Sequence, residues 1–198
     1  MKTLNIRLNK DSIARAIKNL ENKKKQLNTI KNAFLDECFK LFVSKANAKL
    51  RATSIGANIV EGICNSWTMT KHKNGSATIK NTYRDYRGVS GKAVFIEFGT
   101  GLEGKANPHP NATNTQYQYD LKLNHKGEDW WFRVRSEDDI DLEKSDIDSY
   151  GYDTSGNLMV NTTGMEGQFF VHNTLVEMAI GTDLKTLWNE IKIKYWGN

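Results

Sequence analysis

The chain has 198 residues, of which 38% are hydrophobic and 26% charged, values typical of a globular protein rather than a disordered or membrane-embedded one. The net charge of +5 is unevenly divided: residues 1–99 hold 19 Lys/Arg against 7 Asp/Glu (+12), and residues 100–198 hold 9 against 16 (−7). This asymmetry favours either binding to nucleic acid or head-to-tail contact between copies. Apolar runs long enough for a membrane span and a signal-peptide core are both absent from the sequence, so we expect synthesis and folding in a reducing cytoplasm and no contact with a membrane. The length fits one domain over residues 1–198.

Cysteine and histidine give no metal or disulfide pattern. Cys38 and Cys64 are the only cysteines, and Cys38 falls on the apolar face of a predicted helix, where it is expected to be a small buried side chain. The histidines lack metal-ligand spacing; they are His72, His109, His125 and His172. We therefore expect no metal and no cofactor.

A long N-terminal helix is predicted from about Asp11 to Leu50, because apolar residues recur three or four apart and no proline or glycine interrupts them. Asp11 or Ser12 is suited to cap its start. The apolar pattern lapses at Lys23, Lys24 and Lys25, so this turn is expected to project from the core or to meet a partner. The lysines of this helix could form a surface that faces solvent or a neighbouring subunit, and we favour this interpretation. The alternative is that they contact phosphate groups of a nucleic acid.

Strands are predicted downstream, with two hairpins. Trp67–His72 and Ser76–Asn81 flank an Asn-Gly pair that permits a tight turn. Lys92–Phe98 is predicted as a third strand, and Asp129–Arg135 as a fourth with Trp131 or its neighbours facing a core. A second hairpin is expected within Tyr150–Val160.

Two segments between the strands are predicted to be irregular. Gly99–Gly127 is rich in Asn, Gly, Thr and Pro and is expected to be a long excursion. Glu137–Asp148 is acidic and is expected to be a solvated loop. A calcium site is the alternative there, although the segment lacks the glycine and the closing glutamate of an EF-hand loop.

Two helices are predicted near the C-terminus. The first is expected to present one apolar face, made of Phe170, Leu175, Val176, Ala179 and Ile180. Gly181 permits a break, and Asp183 is suited to cap a second helix over Leu184–Tyr195. The expected fold class is α+β: a long N-terminal helix packed on an antiparallel sheet, with C-terminal helices and an irregular or β insertion at about 102–160.

The segment Val94–Gly101, reading VFIEFGTG, carries the most information. Its continuation to Lys105 matches GxGxxG after a predicted strand, a dinucleotide-binding pattern that requires a helix to begin at the glycines. Pro108 and Pro110 follow closely, so we expect no such helix and no bound nucleotide. An open turn after the strand is the expected structure.

Glu97 lies inside this apolar segment. It could act as a general acid or a metal ligand. Strand alternation would instead place it beside Phe95, opposite Ile96 and Phe98, as a sheet-edge or subunit-contact carboxylate, and we favour that role. Because the sequence also lacks a recognisable nucleophile motif, we expect no enzymatic activity.

The VFIEFGTG segment resembles a motif of the tail-completion proteins (neck or minor tail components) of long-tailed bacteriophages. That family begins with a long helix, continues with strands, and carries an aromatic-x-Val/Ile-Glu-Phe-Gly-Thr motif. The matching residues here are Phe95, Ile96, Glu97, Phe98, Gly99 and Thr100. A second motif, an aromatic that precedes a helix, is matched within Gly164–Leu175 by Gln168, Phe169, Phe170 and Asn173. Phe169 stands where the family usually has proline.

The resemblance implies a virion structural protein that is made in the host bacterium's cytoplasm and ends in the neck or tail of the particle. It implies a ring, sixfold in the virion, between the head-closure proteins and the tail-terminator or tail-tube proteins. DNA passes through such a ring, so at most weak DNA contact is expected. The alternative from the residues is a nucleic-acid-binding module that uses the basic N-terminal helix.

Overall fold

The computed structural model describes residues 10–84, 92–110, 130–133 and 147–196. The fold is α+β, as predicted, and its long N-terminal helix packs on a small antiparallel sheet. The helices are α1 Lys10–Arg51, α2 Ala57–Cys64, α3 Lys92–Phe98, α4 Gly101–Ala106, α5 Phe170–Ile180 and α6 Asp183–Trp196. The strands are β1 Trp67–Lys71, β2 Ala77–Asn81, β3 Trp130–Arg133, β4 Ile147–Tyr152, β5 Leu158–Thr162 and β6 Gly164–Met165. Within these described ranges, no helix is both long and apolar enough to cross a membrane.

The chain divides into two compact units. Unit 1 contains Met1–Ser44, Met69–Lys80 and Glu177–Asn198. Unit 2 contains Lys45–Thr68 and Asn81–Val176. Helices α1 and α5 each contribute residues to both units.

Helix α1 confirms the predicted N-terminal helix and is 42 residues long, which corresponds to about 63 Å at the usual rise per residue. In unit 1 its buried residues include Ile30 and Phe42. Phe34 packs edge-on against Trp188 of α6, with ring centroids 5.3 Å apart. The amide of Gln26 donates a hydrogen bond to the carbonyl of Tyr195 at 2.9 Å. Helices α1 and α6 therefore pack along each other in unit 1.

The β1–β2 hairpin confirms the predicted turn and lies against α1. Its turn closes where the His72 amide donates to the Ser76 carbonyl at 2.9 Å, and Gly75 takes a φ of +91° that favours glycine. Lys71 of β1 forms an ion pair with Asp36 of α1 at 2.6 Å.

Unit 2 is built on a three-stranded antiparallel sheet in the order β3-β5-β4. The β4–β5 hairpin confirms the prediction for Tyr150–Val160, and the carboxylate of Asp153 accepts hydrogen bonds from the backbone amides of Ser155 and Asn157 in its turn. Strand β3 confirms a strand within Asp129–Arg135. Trp131 is 51% exposed, however, so this tryptophan does not face a core.

The end of α1 and helix α2 complete the packing of unit 2. Asn47 bridges two segments: its amide donates to the Cys64 carbonyl at 3.2 Å, and its side-chain oxygen accepts from the Trp67 indole at 2.8 Å. The Trp67 ring lies edge-on to Phe170, 6.3 Å between centroids. Leu50, Ile63, Val160 and Phe170 are fully buried.

Several predictions were wrong. Residues Lys92–Phe98 form helix α3 rather than a strand, and α4 begins at Gly101 where an open turn was expected; it ends before Pro108. Helix α5 buries Phe170, Thr174 and Met178, which lie four residues apart. Phe170 was predicted on the apolar face, but the other members of that face are exposed: Leu175, Val176, Ala179 and Ile180. Cys38 is only half-buried, although burial still raises the pKa of its thiol. Residues 111–127 and 137–146 lie outside the described residues, so the excursion and the acidic loop stay predictions there.

Candidate functional site

The two motif segments meet in unit 2 around the carboxylate of Glu97. Glu97 lies in the last turn of α3 and is 5% exposed. Its two oxygens accept hydrogen bonds from the backbone amides of Val171 and His172, at 2.7 and 2.8 Å. These amides belong to the first turn of α5, where N–H groups lack partners within the helix and the helix dipole favours negative charge. Glu97 therefore caps a helix that begins more than seventy residues later in the chain.

A third hydrogen bond to this carboxylate comes from His109. Its Nε2 lies 3.0 Å from Oε1 of Glu97, and both side chains are almost completely buried. An ionised carboxylate only accepts hydrogen bonds, so His109 donates from Nε2 when Glu97 is charged. The ring of His109 packs against Phe98, Phe169 and His172, with centroids 4.3, 5.1 and 5.1 Å away.

Two prolines flank His109 and restrict its backbone. Proline fixes φ near −65° and also biases the residue before it towards extended conformations. With Pro108 before it and Pro110 after it, His109 has fewer backbone conformations available. This restriction helps to hold its ring against Glu97. The spacing of the histidines gave no sign of this partnership.

Backbone contacts join the same two segments. The amide of Gln168 donates to the Ile96 carbonyl at 2.7 Å, and the amide of Phe169 donates to the Glu97 carbonyl at 3.2 Å. Thr100 pairs with Met165 in an antiparallel bridge, and its hydroxyl accepts from the Met165 amide at 3.1 Å. We call the set formed by residues 95–101, His109 and residues 164–173 the Glu97 junction.

Glycine is required at Gly99 because the two backbones approach closely there. Gly99 has a φ of +75°, and a Cβ on it would lie 2.6 Å from the Gly167 nitrogen and 2.8 Å from the Met165 carbonyl oxygen. Both contacts are with backbone atoms, which cannot move aside as a flexible side chain does. Gly99, the first glycine of the GxGxxG pattern, thus serves chain packing in this structure.

Phe169 is the described non-glycine residue with a positive φ, +48°. Its carbonyl accepts the Asn173 amide at 2.8 Å, so it occupies the cap position of α5. A proline ring cannot adopt this φ, so the backbone at Phe169 does not admit the proline that the resembled motif usually has there.

The predicted site residues fall into three groups. Buried in the Glu97 junction are Ile96, Glu97, Phe98, Gly99, Thr100 and Phe170. Half-buried at its edge are Phe95, Gln168 and Phe169, whereas Asn173 is exposed. Lys23, Lys24 and Lys25 are exposed on α1 and belong to the other unit.

Glu97 is therefore not a sheet-edge residue, because it lies in a helix and inside its unit. A carboxylate–histidine pair is a group that could move protons. Here the carboxylate oxygens of Glu97 bond to the protein's own donors, and both side chains are covered, so a substrate does not reach the pair in this conformation. Across the described ranges, no three His, Cys, Asp or Glu side chains are placed to hold a metal ion.

Comparison of the chain with protein-family models, with curated proteins and with solved structures finds no match. The resemblance to tail-completion proteins thus depends on the two motifs alone.

Proposed function

We propose that the chain is a virion structural protein of a tailed bacteriophage, a tail-completion component that forms a ring between the head-closure complex and the tail tube. It is made in the host bacterium's cytoplasm, becomes part of the neck or tail of the particle, and has no catalytic role.

The observation that supports this proposal best is the Glu97 junction. The two segments that resemble the family motifs are separated by more than sixty residues, yet Glu97, His109 and the start of α5 join them into one buried cluster. Motif residues that contact one another form one structural element of this chain, and this contact supports interpreting the two short matches together.

The chemistry of the junction suits a structural part. A buried carboxylate that accepts three hydrogen bonds holds α3, the Pro108–Pro110 turn and α5 in one arrangement. Rigid subunits favour ring assembly because little conformational freedom is lost when copies associate.

The direct experiment removes the gene from the encoding phage and adds the purified chain back. Particles that lack the chain are expected to accumulate as separate heads and tails, and the purified chain should join them. A Glu166→Gln variant, altered at an exposed position of the same segment, should join them as well. Normal particles without the chain would contradict the proposal.

A nucleic-acid-binding module is the second candidate, because Lys23, Lys24 and Lys25 are all exposed on α1. It predicts tight duplex binding that weakens steeply with salt. In a gel-shift titration at several salt concentrations, replacing the three lysines with alanine should then abolish binding. The tail-completion proposal instead predicts weak binding before and after the change.

A further inference from the structure

The first turns of α1 carry large apolar side chains that face outward. These residues are 43–57% exposed, and they are Ile13, Ile17, Leu20 and Leu27. Their spacings of four, three and seven place them on one side of the helix. Lys24 occupies the position between Leu20 and Leu27 that continues the spacing, so the apolar stripe has a cation within it, flanked by Lys23 and Lys25.

A surface that fits this stripe, which we call the α1 stripe, must be apolar and must also carry negative charge. Phosphate backbones offer charge without an apolar surface. A lipid surface would cover the apolar residues, but Lys24 lies in the middle of the stripe rather than on its polar side, and its ammonium would have to reach back to the headgroups. A protein groove with carboxylates at its edges meets both requirements.

Such a groove exists in unit 1 between α1 and α6. Its volume is about 400 Å³, and it is lined by Glu37, Lys40, Leu41, Asp183, Thr186, Leu187 and Glu190. The lining holds three carboxylates against one lysine, so its formal charge is negative. Lys40 is paired with Glu37 at 2.6 Å, whereas the leucines supply apolar surface. We call this the α1–α6 groove.

The stripe and the groove of one chain do not meet. Lys24 and Glu37 lie on the same continuous helix, 13 positions apart, which separates them by about 20 Å along its axis. Different patches that join between copies form a heterologous contact, and repetition of such a contact generates a ring when its rotation closes.

We propose that the α1 stripe of one copy docks in the α1–α6 groove of a second copy. The lysines then meet the carboxylates of the groove, while Leu20 and Leu27 on either side of Lys24 leave water against its leucines. This inference rests on the proposed function, in which copies contact each other, and it names the two surfaces that form the contact.

Swapping the charged residues of the two surfaces in purified protein tests the contact. One variant carries Lys23→Glu, Lys24→Glu and Lys25→Glu, and the other carries Glu37→Lys and Glu190→Lys. In sedimentation equilibrium at low salt, each variant alone should self-associate at least about tenfold more weakly, because like charges then face each other. An equimolar mixture of the two should regain association, since every contact in alternating copies again joins opposite charges.

The matched control is a triple variant of exposed lysines that belong neither to the α1 stripe nor to the lining of the α1–α6 groove: Lys73→Glu, Lys105→Glu and Lys192→Glu. It makes the same change in net charge as the stripe variant and should associate like the wild type. Circular dichroism checks that each variant is folded.

The proposal would be overturned by a wild-type chain that stays monomeric at every concentration, by variants that associate normally, or by a mixture that does not recover association. Loss of binding to duplex DNA or to anionic vesicles, with self-association unchanged, would also overturn it. The result is separable from the proposed function. If the mixture of charge variants does not associate but the chain still joins heads to tails, only this contact is refuted. If the mixture associates but the chain is absent from phage particles, only the phage role is refuted.

Discussion

Replacement of Glu97 by alanine is expected to destabilise unit 2 strongly. The carboxylate is 5% exposed and accepts hydrogen bonds from His109 and from the amides of Val171 and His172. Truncation leaves these three buried or part-buried donors without their acceptor and removes a negative charge from the start of α5. The cause is therefore lost hydrogen bonds rather than lost apolar packing.

The magnitude follows from the bonds. A buried donor that loses its partner costs about 1–3 kcal/mol, and breaking a buried charged network costs about 3–5 kcal/mol in total because the contributions are not additive. Burial of Glu97 means that solvent screening does not reduce this figure. For Glu97→Gln, the remaining oxygen can still accept from His109 and the His172 amide, but an NH₂ group then faces the Val171 amide, so an intermediate loss of about 1.5–3 kcal/mol is expected.

Urea denaturation followed by circular dichroism measures the change in unfolding free energy. Because helices α1 and α5 contribute residues to both compact units, the midpoint and slope of the whole curve are compared between variant and wild type. Glu166→Gln serves as the control and should change stability by less than about 0.5 kcal/mol. A loss below about 1 kcal/mol for Glu97→Ala would refute the role assigned to the carboxylate.

Three further predictions concern backbone approach, ionisation and thiol burial. Gly99 and Gly156 share a φ of +75°, but of these two only Gly99 has backbone atoms within 3 Å of the place that an alanine Cβ would occupy. In thermal melts, Gly99→Ala should therefore destabilise the protein by at least about 1 kcal/mol more than Gly156→Ala. Equal effects of the two substitutions would contradict the close approach at Gly99. Hydrogen bonds from Asn157 lower the pKa of the Asp153 carboxyl in the folded chain. Ionised Asp153 therefore stabilises the fold at pH values above its unfolded pKa, and this stabilisation is lost as the pH falls through its folded pKa. NMR titration should find the pKa of Asp153 below its usual value in the folded chain but not in urea. Burial raises the pKa of the Cys64 thiol, so a thiol reagent at neutral pH should modify it slowly in the native protein and rapidly in denaturant.

The sequence predicted the elements that local signals determine. Uninterrupted apolar spacing predicted α1, and Asn-Gly or Ser-Gly turns between alternating residues predicted both hairpins. It failed at α3, where Val94, Phe95 and Ile96 favour a strand locally but tertiary contacts hold a helix. Secondary-structure propensity is weak compared with the hydrogen bonds that Glu97 makes to a distant helix.

The burial pattern of α5 and the role of His109 were also missed. The buried positions of α5 include the polar Thr174, whose hydroxyl donates to the Phe170 carbonyl at 2.7 Å, so hydrophobicity did not mark the buried face. Both motif segments were identified from the sequence, but their contact depends on long-range packing that residue spacing does not encode.

The measurement that tests the central claim most directly is electron microscopy of phage particles in which this chain carries a C-terminal tag. The tail-completion role predicts a ring of tagged subunits at the neck, between the head-closure complex and the tail tube. Intact particles with no tag at the neck, from cells that contain the tagged chain, would contradict it.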